Sequence, residues 1–262
     1  MAALRKMILL LALACAACAA EPRVPVGEIA PTGALRVAIG VGPSPSPFWA
    51  TREATGPRGV TVDLARAAAS NLGVPLKLVE YPNSGEIMKA AASGAWDVSF
   101  MPRDAEREKY VDQGPAYVVY ESSYIVRPGS GIAKTDEIDR DGVRVGVVEG
   151  TSTSRTVAKS LRHAKLTLFP QAEEAQRAFV DGKVDALAMG REALGDFARK
   201  TPGSRVLEEV IQSTGVVVVV PKDHPAARAW AAQFLEQAKA DGTVRRALDA
   251  NGFGNATVAP RT

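Results

Sequence analysis

The sequence predicts an α/β protein of two lobes, each a mostly parallel sheet flanked by helices, joined by a two-strand hinge. Three observations carry this. First, one frame occurs twice: Gly-x-x-Asp, a short apolar strand, then a loop bearing an arginine. It lies in SGAWDVSFMPRDAEREKYVDQGPAY, residues 93–117, and is echoed in DGKVDALAMGREALG, residues 181–195. Second, the order around each copy is the same: strand, loop, helix, strand, helix, Gly-x-x-Asp strand. Such alternation means parallel strands joined by helical crossovers. Third, Gly215–Val220 is wholly apolar and rich in β-branched residues, as a central strand is, and two helical segments after it need a sheet to cover.

The totals fit this class. At 262 residues the chain can bury a sizeable core. Its formal charge is +3; setting aside Arg5 and Lys6 of the leader leaves 30 of the 32 basic residues against 29 acidic ones. A near-neutral body argues against a nucleic-acid partner and against a polybasic membrane surface. Residues 1–20 read as a signal peptide: MAALRK is basic, MILLLALA is apolar but too short to span a bilayer, and CAACAA offers small residues for cleavage after Ala19 or Ala20. Lipoprotein anchoring through Cys15 or Cys18 is the alternative. Those are the only cysteines, so the body has no disulfide. No later segment has the length and apolarity of a membrane span.

In order, residues 21–32 form a Pro-rich leader. Leu35–Val41 is a buried strand. Gly40-Val41-Gly42 is not a dinucleotide loop, because Pro43, Pro45 and Pro47 forbid the helix that must open there. This rigid loop presents Phe48 and Trp49. Gly59 to Leu72 is an amphipathic helix with Val60, Leu64, Ala68 and Leu72 on one face, stopped by Gly73. Leu76–Glu80 is a strand, and Ser84 caps a helix. Gly94 ends that helix and Asp97–Phe100 is a short core strand. Arg103 and Arg107 then lie past its C-terminal end, where open α/β sheets bind ligands. Further strands are expected at Ser122–Val126, Val143–Val148, Lys165–Phe169 and Val184–Met189, with helices through about Leu161 and over Glu173–Val180. Pro225 suits the first turn of a helix ending at Ala240, and a last helix reaches Ala250. The expected division is 1–20 signal peptide, 21–32 leader, 33–121 first part of lobe 1, 122–218 lobe 2, 219–256 return to lobe 1, and 257–262 tail. The chain crosses between lobes twice, near 120–126 and 213–221, which makes a hinge.

The ordered segments ALRVAIGV, GVTVDLARAAASNLGV, SGAWDVSF, EREKYVDQGPAY, VRVGVVEGTSTS, DGKVDALAM and ADGTVRRAL, from residue 33 to about 254, resemble the family 3 extracellular solute-binding proteins, the amino-acid-type receptors of ABC importers. The resemblance implies a type II periplasmic-binding-protein fold that closes over a small solute, and a membrane permease as partner. A periplasmic location follows from the signal peptide, a monomer is expected, and no cofactor, metal or catalytic residue is expected. By its position five residues before Asp112, Arg107 matches the family's carboxylate-binding arginine; a guanidinium holds a carboxylate through two charge-assisted hydrogen bonds. The alternative is a solvated arginine paired with Glu106 or Asp104. Gly150, Thr151 and Ser152 match the family's second-lobe turn, whose backbone N–H groups face an anion at a helix N-terminus; hydroxyl capping is the compatible alternative.

Departures from the pattern bear on the solute. Where the family places an acid for the ammonium of an amino acid, this chain has Gly190, followed by Arg191. Phe100-Met101-Pro102 replaces a Gly-x-Ser loop, and Thr61 stands where an Asp is common. Glu149 or Glu121 are the candidate substitutes. The expected ligand is a carboxylate-bearing solute, amino acid or related organic acid, touching Phe48, Trp49, Phe100, Pro102 and Gly190 besides Arg107, Thr151 and Ser152. Phe48 and Trp49 either stack on it or belong to the lobe core or rim. The rival function is a periplasmic hydrolyase of the cyclohexadienyl dehydratase type, for which Glu149 or Glu192 is the candidate acid. His163 and His224 are expected at the surface.

Overall fold

The computed structural model describes residues 25–262; the expected signal peptide and the acylation of Cys15 or Cys18 lie outside the described residues. After a short helix α1 (Val26–Ile29), the apolar run at 35–41 forms β1 (Leu35–Val41). A hairpin, β2 (Trp49–Glu53) and β3 (Gly56–Arg58), precedes α2 (Val60–Leu72), whose C-cap Gly73 takes the left-handed conformation that a Cβ disfavours. Then come β4 (Leu76–Tyr81), α3 (Ser84–Lys89), β5 (Val98–Pro102) and the long β6 (Val111–Val126). The second half repeats the order: β7 (Arg144–Val148), α4 (Ser152–Ser160), β8 (Lys165–Phe169), α5 (Ala172–Val180), β9 (Ala186–Gly190), α6 (Arg191–Lys200) and β10 (Arg205–Val206). The chain ends with β11 (Gln212–Pro221), α7 (Pro225–Ala240) and α8 (Thr243–Ala250).

β1 runs parallel to β2, β4 and β5, and β7 runs parallel to β8 and β9. β11 is antiparallel to both β5 and β6. β6 pairs with β11 from Val111 to Ser122, then with β9 from Ser122 to Val126. One strand therefore passes from the first sheet into the second, and the ladder is unbroken in the order β3-β2-β1-β5-β11-β6-β9-β7-β8. β11 shows why its segment is so apolar. Val216, Val218 and Val220 enter a core with α2, α7 and α8, while Val217 and Val219 enter a second core with Ile87, Trp96 and Met101 on the opposite face. In the second lobe, Leu187 and Met189 join α5 and α6, while Ala186 and Ala188 join Val157 of α4.

Three local expectations are corrected. The strand expected from Ser122 begins at Val111; Gly114 and Pro115 sit at an irregularity in the β6–β11 register. Asn83, not Ser84, caps α3, accepting from the Glu86 N–H at 2.8 Å. Arg191 opens helix α6 rather than lying in a loop, with Ala193, Leu194 and Phe197 buried and Gly195 tolerated inside. The Phe48-Trp49 loop leads directly into β2.

The repeated Gly-x-x-Asp has a structural explanation. Asp97 accepts from the backbone N–H and the guanidinium of Arg36, at the start of β1. Asp185 does the same for Arg144, at the start of β7. Each lobe thus pins its Asp-strand to its first strand with a bidentate pair. The Arg144 contact holds the Asp185 carboxyl below its usual range. That contribution is present above the unfolded carboxylate's pKa and is lost as pH falls through the lowered one. Asp97 is the more buried of the two, so Asp97→Ala is expected to cost about 2 kcal/mol of stability, read as a lower urea midpoint, with a smaller loss for Asp185→Ala.

Candidate functional site

Arg107 is the centre of the site. β5 ends at Pro102 and Asp104 accepts from the Glu106 N–H at 2.9 Å, capping a 3-10 turn over Ala105–Lys109. That turn drives Arg107 inward, leaving it 2% exposed. Its guanidinium donates to the Pro102 carbonyl at 2.8 Å and to Ser84 Oγ at 2.7 Å, while Nε is buried with no partner. Neither acid expected to neutralise it does so: Asp104 pairs with Arg155 and Glu106 with Lys109. Burial, and then the like charge of Arg155, push the Arg107 pKa down to about 10, so it remains a cation at neutral pH. A buried cation without a counter-ion is costly, and an anion arriving there removes the cost.

The facing wall belongs to the second lobe. Thr151 caps α4, accepting from the Ser154 N–H at 3.0 Å and donating to the Val148 carbonyl at 2.8 Å. Ser152 and Thr153, in the first turn, are buried; first-turn N–H groups have no partner within a helix. The lobes touch closely here. A Cβ on Gly150 would stand 2.8 Å from the Gly85 Cα, and Gly150 also has φ +70. Asn83 Nδ2 donates to the Pro170 carbonyl at 2.7 Å, Gln176 Nε2 to Ser44 Oγ at 3.2 Å, and Arg155 reaches Asp104 through both Nε and Nη2.

The lobes lie close together, and the cleft between them holds a cavity of about 30 Å³. Pro43, Ser44, Ser46, Phe48, Trp49, Ser84, Pro102 and Tyr120 line it from one side, and Val148, Thr151, Ser152, Thr153, Ala188, Met189 and Gly190 from the other. The structure therefore brings together Phe48, Trp49, Pro102, Thr151, Ser152 and Gly190, with Arg107 behind Ser84 and Pro102. Phe48 and Trp49 are also part of the first-lobe core, so the two alternatives for them coexist. Phe100 is not in the wall: it is in the core, edge-on to Tyr117 at 5.8 Å, because β5 continues past it to Pro102. Arg103 is exposed and donates to the Gly114 carbonyl. Glu149 is exposed, and Glu121 faces Arg191 at 3.8 Å. His163 and His224 are exposed.

Sequence reasoning missed Tyr120, Ser84 and Arg155. Tyr120 is buried, meets Phe48 edge-on at 4.9 Å and fills the space over Gly190, where a Cβ would lie 2.5 Å from its ring. Its only sequence signal is alternation in AYVVYESS, which the bulge at Gly114-Pro115 obscures. The Arg155–Asp104 pair is partly buried and spans the cleft, so Arg155→Ala is expected to weaken ligand binding about fivefold, measured by calorimetry, with a smaller salt dependence than the unaltered protein.

No curated protein matches the chain. Several solved structures share its fold. The ancestral amino acid-binding protein AncCDT-1, a precursor of cyclohexadienyl dehydratase, is 26% identical with a TM-score of 0.75, covering 86% of this chain and 98% of its own. A solute receptor for L-cysteine of Neisseria gonorrhoeae is 22% identical with a TM-score of 0.78, covering 87% and 93%. An amino acid ABC transporter substrate-binding protein from Streptococcus pneumoniae, bound to L-arginine, is 21% identical with a TM-score of 0.75, covering 89% and 99%. These structures match the two-lobed architecture described above. Residues 37–253 match the bacterial extracellular solute-binding proteins, family 3, and the chain belongs to that family.

Proposed function

We propose that the chain is a periplasmic receptor that captures a small carboxylate-bearing solute in the inter-lobe cleft and delivers it, as a monomer, to an ABC permease of the inner membrane. The observation that carries this reading is Arg107: buried, cationic, with a free Nε and no acidic partner. A ligand carboxylate supplies the missing counter-charge on one side and accepts from the Ser152 and Thr153 N–H groups at the start of α4 on the other. Phe48, Trp49 and Met189 cover its apolar part. The lobes open about the strand crossings at β6 and β11, and the solute favours closure because only the closed form offers both sets of contacts. At micromolar affinity the whole interaction is worth about −8 kcal/mol. The closed face is what the permease reads.

The rival reading, a hydrolyase, draws on Glu192. Burial raises its carboxyl pKa, and its Oε2 has no partner. Glu192 does not line the cleft, although Gly190 and Ala193 on either side of it do, so no acid faces a bound solute and capture without turnover is favoured. Native mass spectrometry of freshly purified protein tests the assignment. A co-purified small organic acid, released intact on denaturation, is expected; a bound species with no carboxylate, or conversion of the released acid on incubation, contradicts it.

A further inference from the structure

We infer that the solute is a carboxylate carrying no ammonium group: a 2-oxo, 2-hydroxy or plain organic acid rather than an amino acid. The inference rests on the receptor reading above and narrows its substrate class. It starts from the charge of the cleft. Arg107 lies behind Ser84 and Pro102 of the wall, and the charges acting on it are Arg155, which lowers its pKa, and Asp104, which raises it and pairs with Arg155. No aspartate or glutamate is among the lining residues. Every polar lining group is neutral: hydroxyls from Ser44, Ser46, Ser84, Thr151, Ser152, Thr153 and Tyr120, and the indole of Trp49. An ammonium held there has no opposite charge beside it and a guanidinium nearby, so it bears a desolvation cost with nothing to offset it. A keto or hydroxyl oxygen in the same place is neutral, and hydroxyls satisfy it.

The wall also leaves no room for an acid where β9 meets α6. Gly190 is forced by Tyr120: any side chain would begin 2.5 Å from the ring and 2.8 Å from its hydroxyl oxygen. Tyr120 cannot swing away cheaply, because it is fully buried against Phe48. Burial raises the pKa of its phenol, so it remains a neutral hydroxyl and offers no negative charge either. Glu192 lies outside the lining, and burial, with a further push from Glu121, raises its carboxyl pKa; Asp196, hydrogen-bonded to Ser44, also lies outside the lining and is engaged by Arg199 and Lys200. The cleft is therefore built for one negative group, a neutral polar neighbour and an apolar tail against Phe48, Trp49 and Met189.

The test compares matched acids that differ only at the second carbon: the 2-oxo, 2-hydroxy and 2-amino acids with the side chains of alanine, leucine and phenylalanine. Each is titrated into protein that has been unfolded and refolded to remove bound solute. The 2-oxo or 2-hydroxy member of at least one series is expected to bind about 100-fold more tightly than its amino counterpart, the scale of an uncompensated buried charge. Equal or tighter binding of the amino acid overturns this inference and leaves the carboxylate reading intact. Binding by no member of any series overturns both. The double variant Tyr120→Ser with Gly190→Asp is expected to shift preference towards the amino acid; unchanged preference in a folded variant would overturn the role given to the Gly190–Tyr120 contact.

Discussion

Arg107→Met is expected to abolish solute binding, weakening it at least ~100-fold, while leaving the ligand-free protein as stable as before or more so. The two effects have one cause. In the ligand-free protein, Arg107 is a buried cation whose only bonds are to a carbonyl and a hydroxyl. Replacing a poorly compensated buried charge by an apolar side chain of similar length is often neutral or stabilising by about 1–4 kcal/mol. With solute bound, the same charge meets a carboxylate, and losing a charged hydrogen-bonded partner costs about 3–5 kcal/mol. Calorimetric titration and thermal melts of the same samples read both effects. Unchanged affinity would remove Arg107 from the site. A large fall in melting temperature would mean that it is a structural residue.

Gly85→Val is expected to block closure without unfolding either lobe. A Cβ at Gly85 would stand 2.9 Å from the Gly150 Cα across the cleft, too close for any real contact. The backbone of Gly85 is helical, but the same Cβ would also lie 3.0 Å from Asn83 Oδ1 in its own lobe, so the cap of α3 must give slightly. The clash with the Gly150 backbone exists only when the lobes meet. Overpacking costs about 1–3 kcal/mol, which lowers affinity roughly tenfold or more. Small-angle scattering should show no compaction of this variant on adding solute. Compaction equal to that of the unaltered protein would show that the glycine contact does not limit closure. Gly150→Ala is the less clean variant, because φ there is +70 and the substitution strains the turn as well.

Much of this was readable from the chain because it depends on short-range pattern. The two Gly-x-x-Asp strands, the turn at Gly150–Ser152 leading into a helix and the apolar run Gly215–Val220 are each patterns of a few residues, and the strands and the helix start they predict are present. What was not readable depends on register. A strand ending at Phe100 would put Phe100 in the cleft with Pro102; with β5 continuing to Pro102, Phe100 packs in the core and only Pro102 reaches the cleft. Tyr120 is not legible because the sequence places the start of its strand at Ser122, whereas the ladder with β11 runs from Val111 through Tyr120. Arg155 and Asp104 are far apart in sequence and meet only when the two lobes do.

The most direct test of the central claim is a crystal structure of the protein with its co-purified or titrated acid. A carboxylate is expected in the inter-lobe cleft, one oxygen within about 2.8 Å of the Arg107 guanidinium and another facing the first N–H groups of α4. A solute bound elsewhere, or one seated in the cleft with its carboxylate turned away from Arg107, would contradict it.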